Sequence, residues 1–469
     1  MSPKNPNYKT QTNEGAVRYL IKEKETPDCI LALCSETVRK KAVVEMPDGR
    51  TCTTLEYFRD ALRRVGIPAE RLVVIEVPDS MDDEKKQFQA ISQLLDKIEK
   101  EDTLSIDLSG GMRDTAMLLV TAARCMRDLR GVQTRRVIYA ELRGEEPVAH
   151  DRTQLYDLFD FVTAMDEFFS TGTAQKLKSY LWSEGEKDPV LHTLLTRINQ
   201  FSEDLALCRV RKLNDDLNQI AQALKEMPKK SQNLTDLFFR LLKDRFSTEF
   251  AELLTSGEKA LPALVSWCAK HGMYQQALTL LCEQMPAYVC RHLFVQPTET
   301  GWAYLAAQNQ NKGKAWVYPL FHFHFCRLTL MQKEYPYTTD LRLTHSKDDA
   351  EGNMLFGVAN SKEMHAYMDT VLASGQLVID PDVRWQIEDA ALFYQRVMQY
   401  RNQINHASDT AFGLQSDRIL PLDTAHIEQT LQDVADYLQE IRPMKPDVPK
   451  GVKALPVTKT IPAGAAPNL

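Results

Sequence analysis

The chain has 469 residues, of which 43% are hydrophobic and 26% are charged, and its formal net charge is −7. This length predicts two or three domains rather than a single core. The acidic balance argues against a broad, non-specific nucleic-acid surface, because such a surface needs an excess of basic residues.

Strands and helices alternate in the first 150 residues. After a loose polar start at residues 1–14, apolar or β-branched runs predict four strands, at 29–34, 71–77, 103–108 and 136–142. Helical periodicity at 53–65, 83–100 and 114–129 predicts the helices between them. This alternation is typical of a parallel sheet with crossover helices, so we expect a Rossmann-like α/β domain over residues 1–150.

Helical periodicity dominates after residue 150. It predicts helices at 154–182, 190–228, 234–254, 259–285, 383–405 and 423–441, and it leaves open whether 313–330 and 339–358 contain short strands. We expect a helical linker region at 151–255 and a second, all-helical domain at 256–442. Residues 443–469 contain six prolines and few large apolar side chains, which predicts a disordered tail.

A strand that ends in glycines marks the first candidate site. The predicted strand at 103–108 leads into Ser109-Gly110-Gly111 and then into a helix. Backbone amides at such a turn point toward a ligand above the sheet, and the start of a helix favours an anion. Ser35, Glu36 and Thr37 follow the first strand, and ligands of open parallel sheets bind where strands end, so we expect them on the same rim. A tight turn without any ligand explains the glycines equally well.

The second candidate site lies at the end of the predicted helix 383–405. Apolar and aromatic side chains follow helical spacing along it, at Ile387, Ala391, Tyr394, Val397 and Met398. Arg401 continues this stripe, and an arginine that faces a core or a partner needs an acidic or phosphate group beside it. Asn402 and His406 are four residues apart and therefore share a helix face.

Arg401 and His406 fit the cleavage of RNA without a metal or another cofactor. Histidine exchanges protons near neutral pH, and arginine stabilises the charge of a phosphorane-like transition state. The 2′-hydroxyl of the RNA itself attacks the adjacent phosphate in this reaction. A helix-end histidine beside a solvated arginine is the alternative interpretation. The patterns around His271, His322 and His324 favour structural roles for those side chains.

Several sequence motifs that would indicate other classes of protein are absent. The nine cysteines include no Cys-x-x-Cys pair, which favours reduced thiols over a zinc site or a disulfide framework. Neither G-x-G-x-x-G nor G-K-[ST] occurs at the glycine turn, so hydride transfer and ATP hydrolysis lose their usual support. The N-terminus lacks the apolar stretch of a signal peptide, and no apolar run approaches the roughly 20 residues of a membrane span. We therefore expect a cytoplasmic protein without a membrane partner.

Four segments, taken in order, carry a family resemblance. Residues 106–117 read Ile-Asp-Leu-Ser-Gly-Gly-Met-Arg-Asp-Thr-Ala-Met, and residues 401–407 read Arg-Asn-Gln-Ile-Asn-His-Ala. Between them lie the helical segments 155–172 and 271–283. In this order they resemble the CARF–HEPN ribonucleases of type III CRISPR systems, in which a CARF sensor domain precedes a helical HEPN nuclease domain.

The resemblance implies both an activator and a substrate. Cyclic oligoadenylate would bind across the two-fold axis of a homodimer, and single-stranded RNA would be cleaved in a composite site built from both helical domains. Arg401 and His406 would be catalytic, with Asn402 in support. The activator site would be lined by Ser35, Glu36, Thr37, Ser109, Gly110, Gly111, Met112 and Arg113.

Two other classes of protein compete with the nuclease. One is a sensor whose helical domain is inactive and signals to a partner protein, and the presence of both Arg401 and His406 argues against it. The other is a nucleotide-dependent transcription regulator. That class needs a basic recognition helix, and the chain shows no such charge pattern.

Overall fold

The computed structural model of the chain describes most of its residues. The described residues are 11–46, 49–77, 79, 84–110, 113–143, 146–184, 189–227, 234–254, 260–308, 313–325, 331–332, 335–336, 360–405 and 420–461. The chain divides into two compact units, Met1–Val162 and Thr163–Leu469. The fold is mixed α/β and mostly helical. None of the described helices is both long enough and apolar enough to cross a membrane.

The described residues of the first unit form seven strands and the helices between them. The strands are β1 (Ile30–Cys34), β2 (Ala42–Glu45), β3 (Thr51–Thr53), β4 (Leu72–Glu76), β5 (Thr103–Asp107), β6 (Gln133–Arg143) and β7 (Glu146–Asp151). The helices are α1 (Thr12–Lys22), α2 (Glu36–Lys40), α3 (Thr54–Arg64), α4 (Glu84–Leu95), α5 (Arg113–Cys125) and the start of α6 (Thr153–Thr171). The last turn of α5 continues as a π-helix, Met126–Arg130.

The predicted strands are confirmed, and they pair in parallel as expected. β1 pairs with β4 from Ile30–Leu72 to Cys34–Glu76, and β5 pairs with β6. Four elements differ from the prediction: β2 and β3 form an antiparallel hairpin, β7 pairs antiparallel with β6, and α1 begins at Thr12, within the expected loose start. The described residues form the β1–β4 and β5–β6–β7 ladders as two sheets, where a single sheet was expected.

Helices cover both faces of the β1–β4 ladder because side chains alternate along each strand. Ile75 of β4 and Val77, which follows it, pack with Ala90 and Leu94 of α4 and with Ala122 of α5. On the other face, residues of β1 and β4 pack against α1 and α3, in a cluster of Val17, Cys34, Leu55, Leu62 and Leu72. This layering is that of an α/β domain in which strand ends stay available on the rim.

The second unit is almost entirely helical. After the remainder of α6, its helices are α7 (Gln175–Glu184), α8 (Pro189–Ala206), α9 (Val210–Glu226), α10 (Leu234–Glu249), α11 (Leu261–Lys270), α12 (Tyr274–His292), α13 (Glu299–Gln308), α14 (Val317–Pro319), α15 (Ser361–Ala373), α16 (Arg384–Asn405) and α17 (Thr424–Ile441). Short strands are β8 (Val295–Pro297), β9 (Met331–Gln332), β10 (Tyr335–Pro336) and β11 (Leu377–Ile379). β8 pairs antiparallel with β11, and β9 with β10.

Three of the long predicted helices are broken in the structure. The predicted helix 154–182 breaks at Gly172, where φ is +70° and a Cβ would lie 2.7 Å from the Trp267 ring. The predicted helix 190–228 breaks at Cys208, which also has a positive φ of 50°. The third, 259–285, breaks between α11 and α12 at residues 271–273. Residues 317–325 are helical rather than extended, and 339–358 lie outside the described residues.

Two packed regions fix the helices of the second unit. An aromatic cluster joins α6, α10 and α11 through Phe168, Phe246, Phe250 and Trp267, with the stacked Phe168 and Phe250 rings 5.7 Å apart. The second region is formed by α11, α12, α16 and α17, which contact one another. The buried side chains of α16 include Ile387, Tyr394 and Val397, so the predicted apolar stripe is confirmed.

The expected disordered tail does not fit residues 443–461, which pack against the second unit. The Gln296 amide donates to Lys453 O (3.1 Å) and accepts from Leu455 N (2.9 Å). Trp316 Nε1 donates to Pro456 O (2.9 Å), and Ile461 is 1% exposed. Proline lacks a backbone N–H group but retains its carbonyl oxygen as an acceptor. Buried side-chain donors can therefore bind this segment although it has no regular secondary structure. Residues 462–469 lie outside the described residues.

Candidate functional site

Asp107 organises the turn that follows β5. Its carboxylate accepts hydrogen bonds from Ser109 N (2.9 Å), from the Ser109 hydroxyl and from Asn13 Nδ2 (3.2 Å). The Ser109 hydroxyl in turn accepts from Ala140 N of β6 (2.6 Å). Burial raises the pKa of the Asp107 carboxyl, and the hydrogen bonds from Ser109 and Asn13 oppose that rise. This network fixes the position of Ser109 relative to both strands.

Gly110 has a structural reason to be glycine. A Cβ at this position would lie 2.6 Å from Asn13 Nδ2, so a larger residue would require the Asn13 side chain to move away from Asp107. The close approach of Asn13 therefore explains this glycine without a ligand. Gly111, Met112 and the side chain of Arg113 lie outside the described residues, so their expected contact with an activator stays a prediction.

The rim after β1 already contains an internal anion. Asp79 Oδ1 accepts from Thr37 N (3.0 Å), and a hydrogen bond from the Ser35 side chain, followed by that from the Thr37 amide, lowers the pKa of Asp79. Ser35 also caps α2 by accepting from Val38 N, and Glu36 pairs with Lys40 at 2.7 Å. The polar groups of Ser35–Thr37 are thus satisfied within the chain. The hydrogen bonds recorded for the described residues do not join this group to Ser109.

The end of α16 contains a partly buried arginine that is incompletely paired. Arg401 lies on the same helix face as Tyr394 and Met398, and its Nη1 donates to Asn402 Oδ1 (3.3 Å). Its Nε is buried and has no hydrogen-bond partner among the described residues. The structure shows this hydrogen bond between Arg401 and Asn402, whereas His406 lies outside the described residues, so the catalytic site stays a prediction.

One face of α12 runs alongside the end of α16. Gln275 Nε2 donates to Asn405 Oδ1 (3.1 Å), and Cys282 Sγ lies 3.3 Å from Met398 Sδ. Burial raises the pKa of Cys282 to about 12, and the positive charge of Arg401 opposes this rise. Sequence reasoning did not find these α12 residues, although Gln275 and Cys282 are seven apart and therefore share a helix face.

Two glutamines fix the chain where it returns to α16. Gln403 Nε2 donates to Leu420 O, and Leu420 N donates to Gln399 Oε1, both at 3.4 Å. Gln399 and Gln403 are one helical turn apart and both are buried. The backbone at Leu420 is therefore held against the same turn of α16 that contains Arg401.

His271 and His324, two of the other histidines singled out in the sequence, have structural surroundings. His324 is 1% exposed, its Nδ1 lies 3.2 Å from Tyr367 Oη, and burial lowers its pKa to about 4. The two ring nitrogens of His271 lie against Trp267 O (2.6 Å) and Phe169 O (2.8 Å). Among the described residues, no group of three or more His, Cys, Asp or Glu side chains is placed to hold a metal ion.

No protein-family model matches the chain, and no curated protein sequence is significantly similar to it. The interpretation of the two candidate sites therefore depends on the residues of the chain itself.

Proposed function

We propose that the chain is an endoribonuclease that cleaves single-stranded RNA at the end of α16 and is activated by cyclic oligoadenylate bound at the rim of the first unit. In this proposal the first unit is a CARF-like sensor and the second contains a HEPN-like nuclease. The active form is a homodimer, because the resemblance implies that two copies of Arg401 and His406 complete one site.

The observation that supports the nuclease best is the state of Arg401. A guanidinium that is partly removed from water costs free energy unless its N–H groups are paired. Arg401 Nη1 has Asn402 as a partner, but the buried Nε has none among the described residues. An RNA phosphate provides the missing acceptors and matches the fork of donors that a guanidinium presents.

Each residue of the site has a definite role in the proposed reaction. The 2′-hydroxyl of the RNA attacks the adjacent phosphorus, and the bond to the 5′-oxygen breaks. Arg401 stabilises the negative charge that accumulates on the phosphoryl oxygens, and Asn402 holds the guanidinium in place. His406 transfers the proton between the attacking and leaving oxygens. The products end in a 2′,3′-cyclic phosphate and a 5′-hydroxyl.

The sensor role is assigned to the turn after β5. Asp107 and Ala140 hold Ser109 in place, so the backbone that follows, up to Arg113, starts from a fixed position. A contact between the activator and Ser35, Glu36 or Thr37 requires the Asp79 carboxylate to move, because this carboxylate already binds the Thr37 amide. The Ser109–Arg113 segment is therefore the principal activator contact in the proposal.

A cleavage assay tests the proposal directly. Fluorescent single-stranded RNA is incubated with the full chain, with and without cyclic oligoadenylates of several ring sizes, in the presence of EDTA. We expect cleavage only with an activator, and loss of most of it in His406→Ala, since general acid–base groups are worth about 10²–10⁴ in rate. His192→Ala, which alters an exposed histidine of α8, is the matched control.

Three results would contradict the proposal. If His406→Ala cleaves as fast as the wild-type chain, the activity lies elsewhere. If the wild-type chain binds a cyclic oligoadenylate but cleaves no RNA, the sensor with an inactive helical domain replaces the nuclease. A monomer in the presence of activator, measured by light scattering, would contradict the composite site.

A further inference from the structure

The turn between α8 and α9 contains a small group of basic side chains. Arg209, Arg211 and Lys212 lie within four residues of one another, and all three are exposed. We call residues 208–212 the basic turn. Arg209 Nη1 is held by Asp204 Oδ1 (2.9 Å), whereas Arg211 and Lys212 have no ion pair within the described parts of the chain.

The face of α12 that runs alongside α16 also contacts the basic turn. Thr279, four residues after Gln275 and three before Cys282, forms a side-chain hydrogen bond with Cys208. On the same face, Gln275 contacts Asn405 of α16 and Cys282 contacts Met398. α9 and α12 are also in contact as helices.

This arrangement places the basic turn beside Arg401. α12 and α16 run antiparallel, since Gln275 pairs with Asn405 and Cys282 with Met398. Thr279 therefore lies level with the α16 residues between Met398 and Asn405, and Arg401 is among them. Burial raises the pKa of the Cys208 thiol, and the positive charge of Arg401 opposes this rise, which agrees with their proximity.

The carboxylates nearest the basic turn are Asp204, which binds Arg209, and Asp216, and the positive charge of Lys212 opposes the rise in the pKa of Asp216. The first turn of α9 contains no acidic residue, although a helix N-terminus is stabilised by negative charge. Arg211 and Lys212 lie in this first turn of α9, and the Arg401 guanidinium is a further positive charge close by. Like charges brought together destabilise a surface unless a counter-ion is bound. A run of charged residues usually marks a solvent-exposed face. Solvent exposure alone does not explain why these cations lie next to the partly buried Arg401.

We propose that the basic turn binds backbone phosphates of the same RNA strand that Arg401 acts on, through Arg211 and Lys212. This inference rests on the proposed ribonuclease function for its substrate, but it concerns binding and can be tested without cleavage. The contacts are to phosphates, so they do not select a base sequence. They extend the site from one scissile phosphate to a short track of phosphates along the strand.

The test removes both free cations from the basic turn of the full chain. Arg211→Ala/Lys212→Ala is compared with Arg197→Ala/Lys225→Ala, which removes two exposed cations from α8 and the far end of α9 and changes the net charge equally. The probe is a labelled, single-stranded 2′-O-methyl RNA that lacks the nucleophile and cannot be cleaved. Its affinity is measured by fluorescence anisotropy between about 50 and about 200 mM salt.

We expect the basic-turn variant to bind the probe about 10-fold more weakly, with no change in the control variant. The slope of log affinity against log salt should fall by about 1.4, because each phosphate contact on a single strand contributes about 0.7. In cleavage assays with activator, KM for RNA should rise about 10-fold while kcat stays nearly constant. This split distinguishes a binding role from a structural defect, which would lower kcat as well.

The outcomes separate the two proposals. If the wild-type chain binds the probe and the basic-turn variant binds it more weakly, the inference stands even when no RNA is cleaved and the ribonuclease function fails. If the wild-type chain cleaves RNA but the two double variants have equal affinities and salt slopes, the inference is overturned and the ribonuclease function remains. It is also overturned if the wild-type chain does not bind the probe.

Discussion

The two candidate sites differ in how their polar groups are paired. At the rim of the first unit, Asp107 binds Ser109 and Asn13, and Asp79 binds Ser35 and Thr37, so these hydrogen-bonding groups are satisfied within the chain. Arg39 of α2 and Arg401 of α16 each have a buried Nε without a hydrogen-bond partner among the described residues, but Arg39 is paired with the Glu76 carboxylate, whereas Arg401 has no ion pair there. The difference is therefore one of charge: the rim cation has a carboxylate partner, and Arg401 has none among the described residues.

The free-energy cost of a buried, unpaired donor depends on whether the group that carries it is charged. Trp267 Nε1 is also buried without a partner among the described residues, but an indole carries one neutral donor and its burial costs little more than one hydrogen bond. A guanidinium carries a full charge and five donors, so the same deficiency costs more. The comparison between the two sites therefore depends mainly on Arg401, and the strongest prediction concerns that residue.

The largest effect is expected for Arg401→Ala. Loss of a donor that stabilises transition-state charge costs on the order of 10²–10³ in kcat. Arg401→Lys should recover little, because an ammonium lacks the planar fork that matches a phosphate. The measurement is single-turnover cleavage of RNA with saturating activator. Arg396→Ala, a partly buried arginine of the same helix near the Phe393 ring, is the control and should cleave nearly normally. Cleavage within twofold of wild type in Arg401→Ala would place the catalytic charge elsewhere.

The satisfied network of the rim predicts a smaller effect, on stability. Asp107→Ala leaves the Ser109 amide and hydroxyl and the Asn13 amide without their common acceptor. We expect the free energy of unfolding to fall by about 2–3 kcal/mol, since buried unsatisfied donors cost about 1–3 kcal/mol each and some regain water. Asp107→Asn keeps one acceptor oxygen and should lose less. Activator affinity should fall in the same order, and equal affinities in both variants would separate Asp107 from the activator site.

A third prediction concerns a buried carboxyl group that holds a proton. Asp216 is buried, and burial, followed by the charge of Asp204 and a hydrogen bond with the Asp204 side chain, raises the pKa of Asp216 to about 6. Lys212 opposes this rise, and Asp215 adds to it. Because the folded pKa exceeds the unfolded value of about 3.9, the proton stabilises the fold fully below pH 4, and this stabilisation is lost as the pH rises through about 6.

Asp216→Asn tests this assignment, because an amide resembles the protonated carboxyl. The variant and wild type should have similar free energies of unfolding near pH 4.5. Near pH 7.5 the variant should be more stable by about 1–2 kcal/mol. Urea unfolding at the two pH values measures the difference, and Asp215→Asn, an exposed neighbour, is the control. A difference that does not change with pH would show that Asp216 does not hold a proton in this range.

The sequence predicted elements whose signals are local. The strands β1, β4, β5 and β6 are runs of β-branched and apolar residues, and the stripe on α16 has the period of a helix, so each was found near its observed bounds. α1 was missed because its first turn is polar, even though Glu14 caps it and is buried. The break at Cys208 was missed because a positive φ in a residue other than glycine has no reliable sequence signal.

The parts of the sites that could not be predicted depend on contacts between distant residues. Arg401 was predicted from its position on the stripe, but its surroundings come from α12 and the basic turn, more than 100 residues earlier in the chain. The ordered segment 443–461 is a similar case, since its backbone pairs with Gln296 and Trp316. Composition predicts whether a segment is ordered in isolation. It does not predict which buried donors elsewhere in the chain hydrogen-bond to the carbonyl oxygens of that segment.

The smallest expected effect tests whether α12 positions the end of α16. Gln275→Ala removes a hydrogen bond to Asn405 that lies at the surface, so the free energy of unfolding should fall by less than about 1 kcal/mol. Gln432→Ala removes a comparable surface bond, between Gln432 and Asp436 of α17, and should cost about the same. If the bond holds the last turn of α16 in register, only Gln275→Ala should lower RNA cleavage, by about 3- to 5-fold, with KM unchanged. A misplaced Arg401 reduces stabilisation of the transition state without changing how the RNA strand binds, so a change confined to kcat is the expected signature. Equal cleavage by the two variants would show that α16 holds Arg401 without help from α12, and the difference between the two candidate sites would then reside in α16 alone.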